Sequence, residues 1–189
     1  MKFIIPEDDN RKRFCCPDCG EIFYSNPNVV VGALSVHDNK ILMAKRNIFP
    51  RKDKWTLPAG FLENGETLQE GAIRETQEET NLQRQEIEML GTFDPLISRH
   101  GVLVHPFVAT GKFEYQLTPN EEIESIFLVP IDYLMKSQNI VWEDLSRDGK
   151  ELNVPSWSYN NYKIWGLTAM FTTIFLNRCF NAEIELNFL

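Results

Sequence analysis

With 189 residues, 43% of them hydrophobic and 24% charged, the chain has the composition of one compact globular domain with room for a substantial core. Its formal charge of −8 argues against an electrostatic nucleic-acid binder, and a phosphate ligand is repelled too unless bound divalent cations invert the local field. No apolar run reaches the length that spans a bilayer and Met1-Lys2-Phe3-Ile4-Ile5-Pro6 is too short for a signal peptide, so no membrane partner and a cytoplasmic location are expected.

Residues 1–27 read as an N-terminal extension and 28–189 as the main domain. Within the extension, Phe14-Cys15-Cys16-Pro17-Asp18-Cys19-Gly20 holds a C-x2-C knuckle, Cys16 and Cys19, which with a second such pair would read as a zinc ribbon. The remaining cysteines, Cys15 beside the knuckle and Cys179 far along the chain, do not make that pair. The expectation is a degenerate, ribbon-like hairpin packed on the main domain with free thiols and without zinc; a structural zinc site is the alternative.

The apolar, β-branched run Val29-Val30-Val31-Gly32-Ala33-Leu34-Ser35-Val36, the turn His37-Asp38-Asn39-Lys40 with a solvated His37, and the run Ile41-Leu42-Met43-Ala44-Lys45-Arg46 predict a hairpin. Trp55-Thr56-Leu57-Pro58 reads as a short strand that delivers the chain to a loop at Gly60. A helix is expected from Leu68 to Thr80 with Thr67 as its cap, and with Leu68, Ala72 and Thr76 facing away from a carboxylate cluster. Strands follow at Glu86–Thr92, Val102–Thr110 and Ser125–Val129. Pro130 opens a short helix, Ser137–Tyr159 is expected to be a long loop over the site or a dimer face, and Tyr162–Cys179 a long apolar helix. This order suits an α/β (α+β) sandwich with a mixed sheet between helices.

Within that helix, Glu75, Glu78 and Glu79 stand at i, i+3 and i+4, so their carboxylates project together within about one turn. A Glu-rich helix face is commonly a solvated one, with Glu70, Arg74 and Glu78 as ordinary i,i+4 pairs. The context points elsewhere: Leu57-Pro58-Ala59-Gly60 precedes the helix, Glu66 follows the glycine after five residues, and Arg74-Glu75 follow Glu66 after seven. Three helix carboxylates with a loop carbonyl suit a hard divalent cation such as Mg²⁺.

The stretch Gly60 to Leu82 resembles the signature G-x5-E-x7-R-E-U-x-E-E-x-G-U of the Nudix hydrolases. Gly60, Glu66, Arg74, Glu75, Glu78, Glu79 and Leu82 match. Thr76 stands where an aliphatic residue is usual, and Asn81 where the second glycine is usual; Asn tolerates the left-handed conformation that ends a helix. Some Nudix proteins carry a four-cysteine ribbon before a segment similar to Tyr24-Ser25-Asn26-Pro27, which makes the knuckle look like a ribbon without its first half.

The resemblance implies a Nudix-type α/β/α sandwich, with Mg²⁺ or Mn²⁺ held by Glu75, Glu78, Glu79 and the carbonyl of Ala59. It implies water attack on the pyrophosphate of a nucleoside diphosphate linked to another group, a small-molecule nucleotide. Arg74 is assigned to orienting a box carboxylate and Glu66 to bracing the loop, with a water-mediated reach to metal as its second reading. The general base lies in the helix, at Glu75 or Glu78, or outside it at Glu122. Arg46, Phe61 and Arg99 are candidates to meet a base or phosphate, each with a packing or surface reading beside it. The front half is similar to relatives that cleave FAD, ADP-ribose or NADH with release of AMP. The segments around Pro95–Arg99 and Tyr162–Ala169 are similar to coenzyme A diphosphatases, whose extra signature is not recognisable here. A homodimer and a non-catalytic nucleotide-sensing module remain open alternatives, the latter disfavoured by the full set of box carboxylates.

Overall fold

The first hairpin turns on Asp38 and Asn39, whose positive φ values of 45° and 58° make the two-residue connection that suits the right-handed twist of paired strands. The computed structural model describes residues 1–7, 9, 11–48, 52–111, 117–147 and 150–186. Three short strands, β1 (Lys2–Ile4), β2 (Arg13–Cys15) and β3 (Ile22–Phe23), form an antiparallel N-terminal sheet in the order β1-β2-β3. The expected hairpin follows as β4 (Val29–His37) and β5 (Lys40–Arg46). His37 belongs to the strand end, paired with Lys40; it is half-buried, with Nε2 3.3 Å from Asp38 Oδ2, and not solvated in the turn.

The main sheet adds β6 (Trp55–Thr56), β7 (Ala59–Phe61), β8 (Ile87–Thr92), β9 (Leu96–Ile97), β10 (Leu103–Gly111) and β11 (Ile123–Pro130). Its central order is β11-β5-β4-β10-β8, with β6 on β5, β7 on β4 and β9 on β10. β10 runs parallel to β4 and the other pairs are antiparallel, so the sheet is mixed, as expected. β7 approaches β4 closely at Gly32, where a Cβ would stand 2.5 Å from the Ala59 side chain and 2.7 Å from the Pro58 carbonyl. Nothing larger than glycine fits there without moving the strand that leads into the Gly60 loop.

Period-2 alternation sorts the sheet's residues to two sides. Val31, Ala33, Phe107 and Ala109 face helix α1 (Leu68–Thr80), against Ala72 and Ile73. Leu34, Ile41, Met43, Val108 and Val129 face the other way, into a core shared with Ile131 and Leu134 of α2 (Ile131–Leu134). On that side lie strands β12 (Ile140–Arg147), β13 (Lys150–Tyr159) and β14 (Tyr162–Ile164), and helix α3 (Gly166–Phe180). Trp157, Phe171, Phe175 and Leu176 close this core, and the fully buried Trp157 indole N–H donates to the Leu134 carbonyl at 2.9 Å. Among the described residues no helix is long and apolar enough to cross a membrane.

Two further expectations are corrected. Ser137–Tyr159 is not a long loop: a short 3-10 turn at Ser137–Asn139 leads into the antiparallel pair β12-β13, with Ile140 opposite Trp157 and Trp142 opposite Pro155; residues 148–149 lie outside the described ones. The long helix starts at Gly166, not Tyr162. Asn160 and Asn161, with φ of 50° and 66°, form a second two-residue turn that folds Tyr162–Ile164 back onto β13.

Candidate active site

Helix α1 is fixed at both ends by its own sequence. The Thr67 hydroxyl accepts from Glu70 N at 3.2 Å while Glu70 Oε2 accepts from Thr67 N at 2.9 Å, a reciprocal cap worth about 1 kcal/mol. At the other end Asn81, at φ 60°, donates its N–H to the Gln77 carbonyl. The departure at Thr76 is absorbed in place: the residue is fully buried and its hydroxyl donates to the Ala72 carbonyl at 2.8 Å, so burial leaves no orphan polar group.

The three helix carboxylates are graded in burial. Glu79 is 2% exposed, the Glu75 side chain 13% and that of Glu78 44%. Glu79 therefore shares the buried side with Ala72 and Thr76 instead of standing opposite them. Gly60 is where the strand meets this cluster, because a Cβ there would fall on the Glu75 carboxylate itself.

Arg74 uses all five of its N–H donors. Its Nε and Nη2 hold Glu66 Oε1 and Oε2 at 2.8 and 3.1 Å, Nη2 also reaches the Phe61 carbonyl at 3.0 Å, and Nη1 reaches Glu75 Oε1 at 2.7 Å and Glu78 Oε2 at 3.1 Å. Burial alone would raise the pKa of Glu66. Arg74, the Glu63 N–H and Arg11 outweigh it, and the carboxyl is held below its ordinary range.

Glu75 and Glu79 shift the opposite way from Glu66. Burial pushes Glu75 up to about 7 against the pull of Arg74, with the charges of Glu78 and Glu122 adding to the rise. Burial and the Glu75 charge push Glu79 up to about 8, opposed by Arg46 and by the Ala59 N–H, which donates to its carboxylate. Glu79 Oε2 is buried with no hydrogen-bond partner, and so is Nε of Arg46.

The structure thus brings Glu66, Arg74, Glu75, Glu78, Glu79, Ala59, Gly60 and the Phe61 carbonyl into one cluster. The charges of Arg46 and Glu122 bear on it from the end of β5 and the turn before β11. That turn is tied to β5's exit by Asn47 N donating to the Glu122 carbonyl at 2.7 Å. The Phe61 ring is 49% exposed. Arg99 is not brought in: it sits on the exposed turn between β9 and β10 with Nε on His100 Nε2 at 3.2 Å. Arg11 reaches Glu66 from the N-terminal segment and was not anticipated. The one signal was the basic run Arg11-Lys12-Arg13 in an acidic chain.

Residues 26–146 match the family model described as NUDIX domain. The chain belongs to the Nudix family of pyrophosphohydrolases. Residues 1–25 match a zinc-ribbon model described as Nudix N-terminal. A solved Nudix hydrolase from Nitrosomonas europaea superposes with a TM-score of 0.51 at 39% identity, covering 68% of this chain and 71% of that one. An ADP-ribose pyrophosphatase of Methanocaldococcus jannaschii is 43% identical over 70 residues, 37% of this chain and 41% of that protein. A mitochondrial coenzyme A diphosphatase of Mus musculus is 27% identical over 140 residues, 71% of this chain and 67% of that protein. The chain spans about half the length of several curated relatives that it matches.

The Nudix site can be tested against the divalent cation the family implies. Among the described residues no three acidic, His or Cys groups already converge as a closed metal cage, since Arg74 draws one oxygen each of Glu75 and Glu78 to itself. The donor set nevertheless fits. All its candidates are hard oxygens, Glu79 Oε2 is buried without a partner, and Glu78 is exposed enough to turn. A buried carboxylate oxygen without a donor is costly unless a cation completes it.

Proposed function

We propose that this chain hydrolyses the pyrophosphate bond of a nucleoside diphosphate linked to another group, with an adenine dinucleotide such as FAD, ADP-ribose or NADH as substrate and AMP as a product. The observation that carries the reading is the buried Glu79 carboxylate, with one oxygen unpartnered, set beside Glu75 over the Gly60 strand. Glu75, Glu78, Glu79 and the Ala59 carbonyl hold Mg²⁺ or Mn²⁺. Such an ion, when bound, offsets the charge of the transferring phosphoryl group and lowers the pKa of attacking water.

The remaining work falls to side chains. Arg74, with every donor engaged, fixes Glu75 and Glu78 relative to the loop and does not touch substrate. Glu66 braces that loop. Arg46, with a buried donor free of any protein acceptor, binds a substrate phosphate oxygen through a charge-assisted hydrogen bond. Glu122 removes the proton from the attacking water, being the carboxylate that adjoins the cluster without being tied by Arg74. Phe61, half exposed at the end of β7, offers its ring face to the base.

Coenzyme A is the second candidate substrate, supported by the similarity that runs through most of this chain and of the mitochondrial coenzyme A diphosphatase. Product analysis with Mg²⁺ across FAD, NADH, ADP-ribose, coenzyme A and nucleoside triphosphates tests both. AMP formed with the higher kcat/KM supports the dinucleotide reading, and 3′,5′-ADP with phosphopantetheine formed faster would replace it. No product from any of them would refute the function.

A further inference from the structure

The N-terminal segment plays no part in the chemistry above, yet it places two arginines on the loop that opens the box. Arg13, in β2, is 8% exposed. Its Nε donates to Asp9 Oδ2 at 2.9 Å, Nη1 to Asn26 Oδ1 at 2.9 Å and Glu63 Oε2 at 3.0 Å, and Nη2 to Glu63 Oε1 at 2.6 Å. Arg11 Nη2 donates to Glu66 Oε1 at 2.9 Å. Asn64 Nδ2 adds a bond to the Ser25 carbonyl at 3.2 Å.

Glu63 and Glu66 are the two ends of one tight turn. The Glu66 N–H donates to the Glu63 carbonyl at 3.2 Å, and the Glu63 N–H to Glu66 Oε2 at 3.1 Å. Two adjacent carboxylates on such a turn repel each other and the carboxylates of α1, and a planar fork on each fixes both charge and direction. Glu66 then receives Arg74 on both oxygens, and Arg74 holds Glu75 and Glu78. A continuous hydrogen-bonded path therefore runs from Arg11 through Glu66 and Arg74 to two of the proposed metal-binding carboxylates.

We propose that Arg11 and Arg13 are positioning residues of the hydrolytic site. The N-terminal segment clamps the Glu63–Glu66 turn through them and so sets the orientation in which Arg74 presents Glu75 and Glu78. This rests on reading the box as a divalent-metal hydrolase site. A tether that served folding alone would leave metal affinity unchanged in any variant that stays folded; a positioning clamp would not.

The test uses the full chain with Arg11→Gln, Arg13→Lys, Arg13→Glu alone and charge-swapped with Glu63→Arg, and Lys12→Gln as a control for net charge. Mn²⁺ binding is read without substrate by electron paramagnetic resonance, alongside kcat, KM and Tm. Partners that orient ligating side chains typically cost 10- to 100-fold when removed, so Arg11→Gln and Arg13→Lys are expected to weaken Mn²⁺ binding and lower kcat by about 10-fold, with KM moving less than about 2-fold. Lys12→Gln leaves both unchanged, and the charge swap restores part of what Arg13→Glu alone removes. Arg11 is partly exposed, so its variant keeps the test decisive should the buried Arg13 variants fail to fold. Wild-type protein that binds Mn²⁺ and hydrolyses substrate, with folded Arg11→Gln and Arg13→Lys retaining both within about 2-fold, would overturn the clamp alone. Wild-type protein that neither binds Mn²⁺ nor hydrolyses would overturn the hydrolase reading and the clamp with it.

Discussion

Replacing Glu79 by Gln is expected to stabilise the metal-free protein at pH 8 while abolishing its response to metal. Folded Glu79 keeps its proton up to about pH 8, whereas its ordinary value is 4.5. Between those values the folded chain binds more protons than the unfolded one, so stability falls as pH rises through this window and levels off above it. A displacement of this size corresponds to at most about 4 kcal/mol at pH 7.5, and relaxation with water entry brings the contribution to roughly half of that. Glu75, pushed up to about 7, adds a smaller effect of the same sign. Gln keeps the shape and carries no charge, so the variant should lose most of the slope and be more stable than wild type by about 1–2 kcal/mol at pH 8 without metal. Saturating Mg²⁺ or Mn²⁺ at a hundred times its dissociation constant should restore about 2.7 kcal/mol to wild type and nothing to the variant. Meanwhile kcat of the variant should drop by at least about 10²-fold. Urea denaturation at pH 5.5 and 8, with and without Mn²⁺, measures all of this. Metal-free wild type that gains stability from pH 5.5 to 8, or a variant with an unchanged slope, would refute the assignment of Glu79 as a carboxylate buried for a cation.

Three further outcomes are expected. Gly60→Ala puts a methyl group on the Glu75 carboxylate and should lower kcat by about 10²-fold through misplacement alone, with an unaltered circular dichroism spectrum. Glu122→Gln should lower kcat by about 10²-fold or more and leave Mn²⁺ affinity unchanged, as loss of a general base requires; equal losses in both would make Glu122 a metal ligand instead. Elemental analysis of purified protein should find less than stoichiometric zinc, because Cys16 and Cys19 make half of a closed tetrahedral site. Asp18 and Cys19 N–H groups and the Cys19 thiol hold the Cys16 thiol below its ordinary range, which favours reactivity but adds no ligand. About one zinc per chain, lost in Cys16→Ser, would show that another element or another chain completes it.

What the sequence disclosed and what it withheld follow from the range of the interactions involved. α1 was legible to the residue at both ends because Thr67, Glu70 and Asn81 are local signals that act within one turn. β8, β10 and β11 came within two residues of their expected ends because each is a short apolar run bounded by polar or turn residues, a signal read locally. The segment 137–159 hid two strands behind polar alternation and Pro155, which lowers any strand reading. Its decisive contact, the Trp157 indole on the Leu134 carbonyl, joins residues far apart in sequence. The Asn160-Asn161 pair was the available hairpin cue, outweighed by the apolar run that follows it.

The site divides along the same line. Spacing alone put Glu75, Glu78 and Glu79 on neighbouring turns, but could not show that Glu79 would be buried and Glu78 exposed, since that depends on where β7 crosses the helix. Nor could it join Arg11 to Glu66 across 55 positions. That contact explains how so acidic a box can exist before any cation arrives. Glu63, Glu66, Glu75, Glu78 and Glu79 crowd one helix and its leading turn, where a like-charge pair at helical spacing costs only tenths of a kcal/mol when solvated but far more when buried. Arginines contributed from outside the box neutralise the loop end of the cluster, and Arg74 holds Glu75 and Glu78 at the helix end. Among the described residues, Glu79 is the carboxylate of this cluster left with a buried oxygen that no protein donor serves.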